Sequence, residues 1–163
     1  MIKVAICDDD IQFIYKLEQS IFRFAEMKRI QVDVDGYTSG AEFIQKLQQS
    51  ERYDLLFLDI ELGDSSGIIV GNWIRSQIQY ESMQIVFVSA KEMYAMQLFD
   101  LRPMNFLVKP IQQERVDYIL DEYERLYQFQ PHIIEIGKGR NSIRIEEHSV
   151  FYLQSLARKI QVV

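Results

Sequence analysis

Five short apolar runs punctuate residues 1–128, and between them the apolar positions switch to helical spacing. Ile2 to Cys7, the stretch holding Val32 and Val34 and ending near Gly36, Leu55 to Leu58, Ile85 to Val88, and Asn105 to Val108 read as strands. They are near-continuous apolar runs, as in a parallel sheet covered on both faces. Ile14, Leu17, Ile21 and Phe24 repeat with helical period up to about Lys28. Ser39-Gly-Ala-Glu42 is a capping box that starts a helix running to about Gln49. Gly67 to about Ile78 and Lys91 to Phe99 are further helices, and Val116, Ile119, Leu120, Tyr123 and Leu126 mark a fifth. Five βα units in succession predict an α/β fold with a doubly wound, five-stranded parallel sheet.

In such a sheet the chemistry gathers at the carboxyl ends of the strands. Asp8 and Asp9 follow the first strand, Asp59 the third, Ser89 the fourth and Lys109 the fifth. Two carboxylates 4 Å apart repel by on the order of 4 kcal/mol at an effective dielectric of 20. Three of them in one cleft call for cationic compensation. Lys109 supplies one charge, and an oxygen-seeking divalent cation such as Mg²⁺ fits the rest. The absence of His and Cys from the set argues against zinc. These groups suit phosphoryl transfer to a carboxylate. Asp59 is the expected nucleophile, a metal bridges the transferring group, and Lys109 and Ser89 stabilise its equatorial oxygens.

Ile-Cys-Asp8-Asp9-Asp10, Phe-Leu-Asp59-Ile-Glu-Leu, Phe-Val-Ser89-Ala90 and Phe106-Leu-Val-Lys109-Pro110 occur in the order, and after the strands, of the motifs of two-component response-regulator receiver domains. The chain resembles that CheY-like family over about residues 1–128. The resemblance implies a flavodoxin-like strand order 2-1-3-4-5. It implies Mg²⁺ held by Asp8, Asp9, Asp59 and the backbone carbonyl of Glu61, with Ser89 and Phe106 as the switch pair. It also implies a cis Lys109-Pro110 bond and a sensor histidine kinase as phosphoryl donor. It further implies a phospho-acceptor signalling domain that catalyses only its own phosphorylation and dephosphorylation. The segment from Ser89 to Phe99, with residues 133–153, resembles the LytTR-type subfamily, in which a β-rich DNA-binding domain follows the receiver.

Past Pro131 the pattern changes to short strands joined by turns: Ile133-Ile134-Glu135-Ile136, Ile143-Arg-Ile145 and Val150-Phe-Tyr-Leu153. The expected division is a receiver over 1–128, with a linker and the first strands of a LytTR-like domain over 129–163. DNA is then a partner only where that output domain is complete. Residues 1–130 hold 13 Lys and Arg against 21 Asp and Glu, whereas residues 131–163 hold 5 against 3. With a net charge of −6, the chain is unlike a nucleic-acid coat. Its one cysteine, Cys7, lies in an apolar run and is expected to be buried and inert; no intrachain disulfide is possible. No window approaches a membrane span. The amino-terminal apolar stretch is too short and too quickly acidic for a secretory signal, so a cytoplasmic protein is expected.

Plainer readings stand beside these. Asp8, Asp9 and Asp10 could form a solvated acidic turn, with Asp10 at the surface or capping a helix. Glu61 and Asp64 could be direct metal ligands, but they read rather as a solvated loop apart from the Glu61 carbonyl. Trp73 reads as core, as do Met93, Tyr94, Met96 and Phe99, although one helix cannot bury all four of these, which leaves some for a partner. A homodimer is expected through the 91–127 face or the carboxyl-terminal strands. His132 and His148 carry no ligand spacing, and Arg158 and Lys159 suit either phosphate contacts or solvent. Three other functions are possible. A haloacid-dehalogenase-like phosphatase would want Asp where Glu61 stands. A flavin or nucleotide module would need phosphate-friendly groups after the first strand, where Asp8 and Asp9 instead repel a phosphate unless a metal is present. An interaction domain with a dead site is opposed by the complete motif set.

Overall fold

The computed structural model describes residues 1–128 and, beyond them, the backbone of 133–136, 143–146, 153–156 and 159–162; the side chains of 95, 96 and 128 and those of the four later strands are outside the description. The chain divides into two units, Met1–Leu120 and Asp121–Val163.

The first unit alternates strand and helix: β1 (Ile2–Cys7), α1 (Ile11–Lys28), β2 (Val32–Tyr37), α2 (Gly40–Gln48), β3 (Leu55–Asp59), α3 (Gly67–Ser76), β4 (Gln84–Ser89), a 3₁₀ helix (Glu92–Leu101), β5 (Asn105–Val108) and the start of α4 (Gln113–Tyr123). All sheet pairings are parallel, in the order β2-β1-β3-β4-β5. This is the expected doubly wound fold, with crossovers that parallel pairing requires.

The burial of each strand follows its place in the sheet. Every residue of β3 and β4 is buried, while the edge strands β2 and β5 are only partly covered. Helix α1 buries Ile14, Leu17, Ile21 and Phe24, the stripe read from its spacing, together with Ala25. Each large apolar side chain so buried contributes roughly 1.5–3 kcal/mol. Asp10 caps α1 by accepting from the Gln12 amide, and the helix ends at Arg29, which is left-handed with φ 58°. Ser39 caps α2 and accepts from the Glu42 amide, as its motif predicts.

Three boundaries differ from expectation. Helix α3 stops at Ser76. The segment expected as a helix over 91–99 is a 3₁₀ helix over Glu92–Leu101. Its first residue is preceded by Lys91, which makes no side-chain cap, and its buried residues Leu98 and Leu101 stand three apart, matching the 3₁₀ repeat. Met93 and Phe99 are 72% and 83% exposed, so neither is core; Tyr94 is half-buried, and the Met96 side chain lies outside the described residues. The fifth helical pattern, read as reaching Leu126, is α-helical only to Tyr123 and continues as a π turn over Glu124–Gln128. Trp73 packs half-buried against the core, and Cys7 is fully buried.

Arg75 anchors the far side of the sheet. Its Nε donates to the Leu101 carbonyl at 3.2 Å, and one terminal nitrogen donates to the carbonyls of Tyr80 at 2.7 Å and Met83 at 2.9 Å. One guanidinium thereby ties α3, the approach to β4 and the end of the 3₁₀ helix.

In the second unit β6 (Ile133–Ile136) pairs antiparallel with β7 (Ile143–Glu146), and β8 (Leu153–Leu156) pairs antiparallel with β9 (Lys159–Val162). The first two strands fall where alternation predicts them. The third begins at Leu153, where the expected strand ends, and β9 has no counterpart in the sequence reading. His132, His148 and Arg158 lie outside the described residues, as does the Lys159 side chain.

Candidate functional site

Strand register brings the chemistry to one edge. Cys7 pairs with Leu58, Asp59 with Val88, and Ser89 with Val108. The residues that end or follow these strands, Asp8, Asp59, Ser89 and Lys109, therefore emerge together. Backbone hydrogen bonds extend the alignment past the strands, from the Asp8 amide to the Tyr37 carbonyl and from the Lys109 amide to the Ser89 carbonyl.

One carboxylate oxygen from each of Asp8, Asp9 and Asp59 lies within 4.8 Å of the others. Asp8 and Asp59 are buried and Asp9 is exposed. Lys109 Nζ lies 2.6 Å from Asp8 Oδ2 and 3.2 Å from Asp59 Oδ2, bridging the two buried acids. The same ammonium sits 4.3 Å from the centroid of the Phe13 ring. Asp8 Oδ1 accepts from the Asp10 amide at 3.0 Å. Asp8 Oδ2 has charge compensation from Lys109 but no well-directed hydrogen-bond donor among the described residues. A buried carboxylate oxygen with coordinating capacity left over, beside two more carboxylates, fits an oxygen-liganded cation such as Mg²⁺.

The charges are tuned by this crowding. Burial pushes the Asp8 carboxyl above its ordinary pKa, against the opposing pull of Lys109 and the Asp10 amide. Burial would lower Lys109, yet Asp8 and Asp59 together hold it above the usual lysine value. Cys7 is driven upward chiefly by burial, so its thiol is not a competing nucleophile.

Ser89 is fully buried, and its Oγ accepts from the Lys91 amide at 3.0 Å. Phe106 is half-buried against the core. The Glu61 side chain is exposed and pairs with Lys91 Nζ, with Tyr94 Oη at 3.5 Å. The Lys109-Pro110 bond is cis. Two features escaped the sequence reading. A β-carbon on Gly67 would lie 2.0 Å from the Asp59 carbonyl oxygen, so α3 can start against the acceptor strand only with glycine there. Asp64, read as a solvated loop residue, instead accepts from two amides of α2. Neither leaves a local signal, because each partner is set by tertiary contact.

A family model described as the response regulator receiver domain matches residues 4–121. The chain belongs to the response regulator receiver domain family. It is 28% identical over 151 residues to the sensory transduction protein LytT of Bacillus cereus, covering 92% of this chain and 58% of that relative. It is 30% identical over 126 residues to the sensory transduction protein LytR of Streptococcus agalactiae, covering 77% of this chain and 49% of that one. The chain thus spans about half the length of these relatives. Among solved structures, the response regulatory domain of mrkE from Klebsiella pneumoniae superposes with a TM-score of 0.67 at 25% identity, covering 78% of this chain and 99% of that one. The response regulator TrrA from Thermotoga maritima, solved with Mg²⁺ and BeF, superposes with a TM-score of 0.61 at 23% identity, covering 76% and 99%. As a receiver domain the chain is a signalling module of two-component phosphotransfer. No helix among the described residues is long and apolar enough to cross a membrane.

Proposed function

We propose that Asp59 is the phospho-acceptor of this receiver domain. The observation that carries this reading is the convergence of the Asp8, Asp9 and Asp59 carboxylates within 4.8 Å, with Lys109 bridging the two buried ones. A carboxylate oxygen of Asp59 attacks the phosphorus of a phosphohistidine on a sensor histidine kinase. The P–N bond breaks as the P–O bond forms, leaving an aspartyl phosphate and a free imidazole. Asp8, Asp9, Asp59 and the Glu61 carbonyl would hold Mg²⁺, which supplies charge neutralisation to the transferring phosphoryl oxygens. Lys109, released from part of its duty to Asp59, turns its charge to the phosphoryl group, and the Ser89 hydroxyl donates to a second oxygen. The domain acts only on itself, in phosphorylation and in hydrolysis of its own acyl phosphate.

Ser89 Oγ accepts from the Lys91 amide and keeps its own proton to donate to a phosphoryl oxygen, and Phe106, half-buried on β5, rotates inward to follow. The 91–127 face then changes its partner preference and favours a homodimer, to which the carboxyl-terminal strands are a second route. In the intact protein the receiver covers 1–128, and 129–163 opens a LytTR-like output domain that regulates transcription by binding DNA. Cytoplasmic action is the reading that goes with membership of the receiver domain family.

Beryllofluoride, which mimics a phosphoryl group on a carboxylate, tests the site. Fluorine NMR is expected to show a bound species that needs both Mg²⁺ and Asp59; a bound species that persists in Asp59→Asn would sink the assignment. Phe106→Ala is expected to remove phosphorylation-dependent self-association, and unaltered self-association counts against the switch role.

A further inference from the structure

The loop between β3 and α3 is held at both its base and its side. At the base, Glu61 and Ser66 form an antiparallel bridge, and the Gly67 amide donates to the Ile60 carbonyl at 3.0 Å. At the side, Asp64 reaches across to the first turn of α2. Its Oδ1 accepts from the Gly40 amide and its Oδ2 from the Ala41 amide, each at 3.1 Å. Ser65 Oγ donates to Asp64 Oδ1 at 3.3 Å. The two surfaces meet closely: a β-carbon on Gly40 would fall 2.6 Å from Ser65 Oγ and 3.2 Å from Leu62 Cδ1. Between base and tether lies Gly63, where a β-carbon would stand 3.2 Å from Asp9 Oδ2. The loop therefore backs the one exposed carboxylate of the acidic cluster.

Asp64 is not part of that cluster. The α2 start does not rest on Asp64 alone, because Ser39 caps the helix through a third amide, that of Glu42. What Asp64 adds is a bidentate link between two elements 24 residues apart in sequence. Two of the orphan amides of the α2 start are satisfied in this way, and the carboxylate lies at the positive end of the helix.

We propose that Asp64 is a positioning residue for the cation site: by tethering the β3–α3 loop to α2 it fixes the Glu61 backbone and the wall behind Asp9. This rests on the reading of Asp8, Asp9 and Asp59 as a divalent-metal site. Groups that orient ligands without touching the metal typically change affinity by roughly 10- to 100-fold when removed. Asp64 acts through backbone, so the lower end of that range is expected.

The test is Mn²⁺ binding to the full chain, read from the paramagnetic resonance signal of the free ion, with no phosphoryl donor present. Wild type is expected to bind, Asp64→Ala to bind about tenfold more weakly, and Ser39→Ala to match wild type while still losing helix stability. Asp64→Asn keeps one acceptor and is expected to fall between; it carries the test if the alanine variant does not fold. An Asp64 variant that is folded and weakened less than about threefold, well short of the range for orienting groups, overturns the proposal. So does Ser39→Ala weakened as much as Asp64→Ala, because general loosening of α2 would then explain both. Failure of wild type to bind Mn²⁺ overturns the metal-site reading itself, and the tether's role with it.

Discussion

Replacing Lys109 with methionine isolates the charge balance of the site. The side chain stays unbranched but loses the ammonium that lies 2.6 Å from Asp8, 3.2 Å from Asp59 and 4.3 Å from the centroid of the Phe13 ring. At an effective dielectric of 20 these two attractions amount to about 6 and about 5 kcal/mol before desolvation is counted. Burial of the ammonium and of both acids offsets much of that, and removing one partner of a buried pair generally costs about 3–5 kcal/mol. Lys109→Met is therefore expected to lose about 3–4 kcal/mol at pH 7 in the presence of a chelator, measured by urea denaturation. The pH dependence has a definite sign. Lys109 has a raised pKa in the fold, so its stabilisation is complete below the unfolded lysine value and disappears as pH rises through the folded one. Asp8 is also raised, so its ionisation costs stability as pH rises through its folded value, and that cost is absent in acid. The variant's deficit should be largest near neutrality and shrink as acid protonates the carboxylates. Mg²⁺ at about 100 times its dissociation constant should return about 2.7 kcal/mol. A deficit under about 1 kcal/mol at pH 7, the scale of an exposed ion pair, or one that does not shrink in acid, would refute the reasoning.

Gly67→Ala places a β-carbon 2.0 Å from the Asp59 carbonyl oxygen and is expected to cost about 3 kcal/mol; an unchanged urea midpoint would contradict the close approach. Arg75→Ala removes hydrogen bonds to the Leu101, Tyr80 and Met83 carbonyls and should cost about 2–4 kcal/mol, with faster amide exchange at the end of the 3₁₀ helix. Ser39→Ala should cost about 1 kcal/mol through loss of the α2 cap, a change that thermal denaturation resolves.

The sheet was legible because its strands are short, near-continuous apolar runs set between segments of helical spacing, and the central strands β3 and β4 are buried throughout. Leu55 to Leu58 and Ile85 to Val88 can be nothing but interior strands, and the acids and the lysine that follow such runs must share an edge. Asp8, Asp9, Asp59 and Lys109 were accessible by that logic alone. The 3₁₀ helix was not, because its apolar residues suit two periods and only packing selects Leu98 and Leu101 over Met93 and Phe99. The π turn after Tyr123 likewise has no composition cue. Asp64 and Gly67 were opaque for another reason: one reads as a polar loop residue and the other as a routine helix start, and their roles come from partners that only the folded chain supplies.

Intact-mass detection of phosphorylation by acetyl phosphate, on wild type and Asp59→Asn, with and without Mg²⁺, bears most directly on the acceptor assignment. One added phosphoryl group that requires both Asp59 and Mg²⁺ is the predicted result. A folded wild-type protein that gains no phosphoryl group in Mg²⁺, or an equal gain in Asp59→Asn, would contradict it.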